Sequence, residues 1–234
     1  MNPNFLDKKI LKDLKIIGDP LEIAVEKEIA LIINGKPHYL MCTPSMLKEL
    51  AVGFLISEGI VKQLEDIKVE LHDDLVLLEI PGSSFATKIH SSGCIGVKIN
   101  EFKKRVEPKK KFSISTLKEY LSLLEVEEYK KTRGYHIAVV VENERFFRAY
   151  DVGRHNAVDK AIGFAALQKA NFDESFLLLS GRISRGIAMK CANTGIPLIV
   201  SKAAIFDSAI EFCIQTGLSA VSFATNIAIG KAVE

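Results

Sequence analysis

The chain has 234 residues, 48% of them hydrophobic and 8% aromatic, with a formal net charge of +2. That suffices for one substantial core, or a core with a small satellite domain, and carries too little basic excess to imply a nucleic-acid partner. The opening residues MNPNFLDKKILKDLK lack the unbroken apolar stretch of a secretory signal, and no later run reaches the ~18 apolar residues of a membrane span, so a cytoplasmic protein without membrane contact is expected.

The N-terminal part is rich in predicted strands. Residues 22–25, 30–33 and 38–42 are short apolar stretches, and Asn34-Gly35-Lys36 supplies a hairpin turn between the last two. Thr43-Pro44 reads as a threonine cap followed by proline at the first helical position. It predicts a helix over 44–58 with Leu47, Leu50, Ala51, Phe54 and Leu55 on its apolar face and Gly59 as its stop. Strands over 67–71 and 75–80 flank the polar turn His72-Asp73-Asp74.

Between Pro81 and Ser115 the periodicity fades into Gly82-Ser83-Ser84, Ser91-Ser92-Gly93-Cys94-Ile95-Gly96 and the basic runs Lys103-Lys104-Arg105 and Lys109-Lys110-Lys111. This is the composition of a loop and linker, and a segment of that length inside a compact domain is functional or disordered rather than a neutral connector. The lysines read as a solvated strap, or as a means of steering an anionic partner. The chain thus divides into a strand-rich region over 1–112, with the helix and the Cys94 loop, and a second domain over 113–234.

In the second domain the pattern is regular. A helix is predicted over 115–131, a hairpin from 136–141 and 145–150, and strands over 176–179, 198–201 and 218–224 separated by helices over 157–170, 184–193 and 205–216. Such alternation implies right-handed βαβ crossovers and a partly parallel sheet with antiparallel additions, a three-layer α/β domain.

The segment Asp151-Val-Gly-Arg-His-Asn-Ala-Val-Asp-Lys160 places a turn, cations, an imidazole and two carboxylates between a strand and a helix. Gly153 frees the turn, Asn156 is expected as the N-cap, and Asp159 stands where a capping carboxylate would reach back. Helix-terminal amides near Arg154 and His155 would then welcome an anion, unless the arginine and aspartate merely pair with each other. A second turn, Ser180-Gly181-Arg182-Ile-Ser184-Arg185-Gly186, repeats the arrangement. If neighbouring parallel strands feed both turns, Arg154, Arg182 and Arg185 line one sheet edge as a cradle for nucleotide phosphates.

Cys94 lies among small residues, with His90 and Lys98 four positions to either side, as a working thiolate or an incidental loop cysteine. Cys42, Cys191 and Cys213 sit on apolar patterns and are expected in the core. No CxxC pair and no histidine pair at ligand spacing suggests a metal. His136, at a strand start, reads as structural, and His155 as the ligand-facing histidine.

Five blocks together carry a family resemblance: TPSMLKELAVGFLISEGI at 43–60, SSGCIG at 91–96, GYHIAVVV at 134–141, DVGRHNAVDKAIG at 151–163 and SGRIS at 180–184. In this order they resemble the FdhD family, sulfurtransferases that mature formate dehydrogenase. The resemblance implies a cytidine-deaminase-like α/β fold for the C-terminal domain, a smaller N-terminal region and a homodimer. It implies that sulfur from a cysteine desulfurase is carried as a persulfide on Cys94 and delivered to the molybdenum or tungsten bis-molybdopterin guanine dinucleotide cofactor, for insertion into formate dehydrogenase apoenzyme. Carried over by motif, the cofactor-binding positions are Gly153, Arg154, His155, Asn156, Lys160, Ser180, Gly181 and Arg182, with the stretch after the last strand, Phe223, Ala224, Thr225, Asn226, Ile227 and Ala228. The sequence departs from the family twice: Val97 replaces the second cysteine of a CxxC loop pair, and 223–228 lack the usual arginine and glycine. A zinc deaminase is excluded by the missing HxE and PCxxC elements. A cofactor-binding chaperone that moves no sulfur is the remaining alternative.

Overall fold

The computed structural model describes residues 15, 17–19, 21–61, 67–80 and 105–234. Four strands, β1 (Lys27–Ile33), β2 (Lys36–Cys42), β3 (Lys68–His72) and β4 (Leu75–Glu79), form a sheet in the order β2-β1-β4-β3. Asn34 and Gly35 both take positive φ between β1 and β2, the geometry that suits an Asn-Gly hairpin. Residues 22–25, expected as a strand, contribute only a bridge at Ala24; none of their side chains is fully buried, so no core rewards further pairing.

Helix α1 (Leu47–Ser57) covers one face of this sheet, with Leu50, Phe54 and Leu55 packed on Ile29, Leu31, Val76 and Leu78. It does not start at Thr43-Pro44 as expected. Met46, in the left-handed region, precedes the first helical residue, because Thr43 is held elsewhere. Its N–H donates to Asp151 Oδ2 at 3.0 Å, and its hydroxyl accepts from the Val152 N–H at 3.2 Å.

The second sheet contains β5 (His136–Glu142), β6 (Arg145–Asp151), β7 (Ser175–Leu179), β8 (Leu198–Ser201), β9 (Ser219–Ser222) and β10 (Ile227–Ile229), in the order β10-β9-β8-β7-β5-β6. β7, β8 and β9 run parallel, and the remaining pairs are antiparallel. The last strand is shorter than expected and turns back through Asn226, at positive φ, into a β10 that the sequence pattern did not announce.

Two apolar cores lie on the two faces of this sheet, which explains the near-continuous apolar run of β5. Ala138 and Val140 face α4 (Arg154–Leu167), α5 (Arg185–Thr194) and α6 (Asp207–Thr216). Ile137, Val139 and Val141 face Leu117, Leu124 and Val126. That second cover was expected as one helix over 115–131. Instead α2 (Ile114–Glu119), a 3-10 segment (Tyr120–Leu124) and α3 (Glu127–Thr132) follow one another, because Val126 turns extended and buries its side chain in the core. The domain therefore has the three layers expected of it, with α1 joining the small sheet to α4.

Candidate functional site

β6 ends at Asp151, and both of its carboxylate oxygens are occupied. Oδ1 accepts from the Gly153 N–H at 2.8 Å and from Asn156 Nδ2 at 3.1 Å. Oδ2 accepts from Lys160 Nζ at 2.6 Å as well as from Thr43. Lys160 is fully buried and also donates to the Thr43 carbonyl at 2.8 Å, while Asn156 reaches the Met41 carbonyl at 2.8 Å. These side chains lock the turn to the segment before α1. Asn156 is not the N-cap: Gly153 takes that position, with no side-chain cap, and Arg154 and His155 open the helix. Nor does Asp159 reach back to the helix start, since it pairs with Lys190 on α5.

The second turn is built on serines. Ser180 Oγ accepts from the Ile137 N–H at 2.9 Å, Ser201 Oγ donates to the Gly181 carbonyl at 2.6 Å, and Ser184 caps α5 through the Ile187 N–H. β6 and β7 are not neighbours, because β5 lies between them; both pair antiparallel with β5 and so run in the same direction. The two turns nevertheless meet. A Cβ on Gly181 would stand 3.3 Å from both Arg154 Cβ and His136 Nδ1, and one on Gly186 would stand 3.2 Å from His155 Nε2. Glycine at both places lets α4 begin directly over the second turn.

Arg154, His155, Ser184, Arg185 and Gly186 face Phe54 and Glu58 of the α1 end, Lys190 of α5 and Phe206 across a cleft of about 290 Å³. The Nε of Arg154 is buried there without a hydrogen-bond partner. Arg182 is exposed, its guanidinium 5.3 Å from the centre of the Phe206 ring. Below lies a buried charge cluster. Lys190 Nζ donates to Glu58 Oε1 at 2.5 Å, Asp159 Oδ1 at 2.9 Å and Ser57 Oγ at 3.0 Å.

Burial is the dominant electrostatic influence. It pushes His155 down to about 3, helped by Lys190 and Arg154, so this imidazole is neutral at physiological pH. His136 is lowered by burial and then by Arg154 and Arg182. Asp159 is pushed up to about 6 by burial against the opposing pull of Lys190. Burial would lower Lys190, but Asp159 and Glu58 hold it above its ordinary value. The cleft mouth is therefore cationic through arginines alone, over a floor of carboxylates already engaged by Lys190.

Ala224, Thr225 and Asn226 lie exposed beyond β9, Phe223 is half-buried, and Ile227 and Ala228 belong to β10; none of the six lines this cleft. Cys94 lies outside the described residues. Cys42, Cys191 and Cys213 are buried, as expected. Burial pushes the Cys42 and Cys213 thiols up to about 12 and raises Cys191 as well. Glu58 and Lys190 carried no functional signal in the sequence beyond a charge interrupting an apolar helical face.

Comparison with known proteins decides the lineage. The model of the FdhD/NarQ family matches residues 24–229. This chain belongs to the FdhD/NarQ family. It is similar to the sulfur carrier protein FdhD of Bacillus pumilus, 29% identical over 95% of this chain and 94% of the relative. The protein of the same name from Methanothermobacter thermautotrophicus is 30% identical over 87% of this chain and 86% of its own. A crystal structure described as a formate dehydrogenase accessory protein, from Desulfotalea psychrophila, superposes with a TM-score of 0.73 at 24% identity, covering 87% of this chain and 85% of that one. That likeness shows a shared fold. Among the described residues no helix is long and apolar enough to cross a membrane.

Proposed function

We propose that this FdhD/NarQ protein is a cytoplasmic, homodimeric sulfur carrier. It receives sulfur from a cysteine desulfurase as a persulfide on Cys94 and passes it to a molybdenum or tungsten bis-molybdopterin guanine dinucleotide destined for formate dehydrogenase. The observation that carries the cofactor half is the unpartnered Nε of Arg154 in a cleft that also holds Arg185, at the start of α4. An anion there would gain a charge-assisted hydrogen bond at little cost, since the donor is already desolvated. Arg154, His155 and the turn at 180–182 fit a phosphate-bearing substrate. Lys160 supports the turn from beneath, and Asn156, which also bonds Asp151, lines the cleft beside His155.

The sulfur half is supported by the name shared by the relatives and by the chemistry of the cysteines. Of the four cysteines in the chain, three are buried with raised thiol pKa values, which leaves Cys94 as the one suited to act as a thiolate. Its thiolate attacks the outer sulfur of the donor's persulfide, the donor thiolate leaves, and Cys94 holds the transferred atom as its own persulfide. Passing the terminal atom on as sulfane sulfur returns Cys94 to thiolate, with the acceptor supplying two electrons if it keeps the atom as sulfide. Val97 in place of a second loop thiol removes the oxidation of a thiol pair to an internal disulfide as a source of those electrons.

Intact-protein mass spectrometry after incubation with a cysteine desulfurase and cysteine tests this reading. The expected result is a gain of one sulfur that Cys94→Ala abolishes. No adduct on Cys94 would mean a cofactor-binding chaperone that transfers no sulfur, the reading that the loss of the second cysteine favours.

A further inference from the structure

The basic run Lys109-Lys110-Lys111 takes no part in the cleft above α4. It lines a second cleft, of about 540 Å³, at the C-terminal end of α6, whereas the first cleft meets α6 at its start. Residues 105–112 form a strap that is fixed at both ends. The Val106 N–H donates to the Thr216 carbonyl at 2.8 Å, and its side chain is buried. The Phe112 N–H donates to the Ala232 carbonyl at 2.8 Å, and its ring meets Phe176 edge-on. Gly217, at positive φ, lets the strap close over the helix end, since a Cβ there would stand 2.8 Å from the Val106 carbonyl oxygen.

Anchored in this way, the strap holds its cations along the rim of the cleft. Lys109 pairs with Asp173 at 2.5 Å and Lys110 with Glu174 at 3.4 Å. Arg105, Lys111 and Lys231 are exposed, and among the described residues no ion pair engages them. Glu107 is the one carboxylate in the lining, so the rim is positive. The floor is apolar. Leu218 and Ile229 lie beside Ile214, whose side chain is 69% exposed.

The rim asks for an anionic partner and the floor for an apolar side chain. Nucleic acid bound as a single strand gains much of its affinity from stacking, and no aromatic residue lines the cleft. A second copy docked about a two-fold axis would bring the same cations face to face. An acidic polypeptide segment with an apolar anchor satisfies both demands.

We propose that this cleft is the docking surface for the sulfur-donor protein, which presents such an acidic segment to it. The inference rests on the sulfur half of the proposed function. Arg105 follows Cys94 by eleven positions, so the chain between them spans at most about 40 Å and keeps the thiol within that radius of a donor seated in the cleft.

Calorimetric titration of the full chain with a cysteine desulfurase, read alongside the mass of the sulfur adduct on Cys94, tests the surface. The wild type should bind, with an affinity that falls as salt is raised. Arg105→Glu/Lys111→Glu/Lys231→Glu should weaken binding about tenfold or more, and Ile214→Ser about threefold or more. Both variants should melt at the wild-type temperature, because the substituted side chains are exposed, and should bind guanosine diphosphate as the wild type does. Wild-type affinity in the triple variant, or no binding by the wild type, would overturn the docking surface and leave any persulfide on Cys94 standing. A loss on charge reversal that Ile214→Ser does not share would also overturn it, by reducing the effect to long-range attraction. So would tight binding of a duplex oligonucleotide that the triple variant abolishes. Docking with the expected losses but no adduct on Cys94 would uphold the surface and remove the sulfur half of the proposed function.

Discussion

Gly53 of α1 and Gly163 of α4 are pressed together where the two helices cross. A Cβ on Gly53 would lie 1.7 Å from the Asp159 carbonyl oxygen, and one on Gly163 would lie 1.9 Å from the Glu49 carbonyl oxygen. Both obstacles are backbone, so no side-chain rotation relieves them. The contact carries the small sheet on α1 directly onto the helix that begins with Arg154 and His155, and it brings Glu58 and Ser57 within reach of Lys190. Close backbone approach at the crossing thus positions one wall of the first cleft.

Gly53→Ala and Gly163→Ala should each destabilise the protein by about 3 kcal/mol or more, since the helices must separate to admit the methyl group. Urea denaturation checks this. Wild-type stability in either variant would show that the crossing is not as tight as the structure has it.

Lys160→Met should cost about 3–5 kcal/mol, because it leaves the Asp151 carboxylate buried without its counter-ion. The same variant should loosen the turn at Gly153, which Asp151 holds through the Gly153 N–H and Asn156. Faster amide exchange at Gly153 and Val152, measured alongside the stability loss, would separate this local role from a general loss of packing.

Local pattern made the strands, the Asn34-Gly35 hairpin and both glycine turns legible, because each depends on residues a few positions apart. Long-range bonds were not legible. Thr43-Pro44 has the chemistry of a helix start, yet Asp151, 108 positions away, takes the threonine N–H and moves the start to Leu47. The Asn156 cap failed for the same reason, as its amide is drawn to Met41, 115 positions distant. Lys190 and Glu58 lie 132 positions apart, and nothing in either helical pattern pairs them before the fold does. The cleft above α4 is assembled in this way, which is why Arg154 was expected at a site and Glu58 was not.

His155 should make the protein sensitive to acid. Its folded value near 3 lies below the ordinary 6.5, so the unfolded chain binds the extra proton between those values. Its contribution to stability is therefore present above about pH 6.5 and is lost as the pH falls toward 3. Asp159, raised from 3.8 to about 6, works in the opposite direction, stabilising the fold below its unfolded value and losing that contribution as the pH rises through about 6. Comparison with His155→Gln isolates the first effect. Between about pH 7 and about pH 5 the wild type should lose ~2 kcal/mol more stability than the variant. Parallel stability curves for the two proteins would mean that His155 is protonated in the folded state.

Arg154→Ala should weaken guanosine diphosphate binding about tenfold or more, the loss of one charge-assisted contact, with no fall in melting temperature. The two halves of that expectation come from one observation. The Nε of Arg154 is buried yet bonded to nothing in the protein, so removing it costs the fold no hydrogen bond and relieves an unsatisfied donor. Arg185, on the same cleft, supplies a second cation, and Arg154→Lys should restore only part of the affinity, because an ammonium cannot present the paired N–H groups of a guanidinium to a phosphate. Calorimetry and thermal melting on the same samples check both halves. A melting temperature that falls together with the affinity would make Arg154 a structural residue and move the phosphate site elsewhere along the sheet edge.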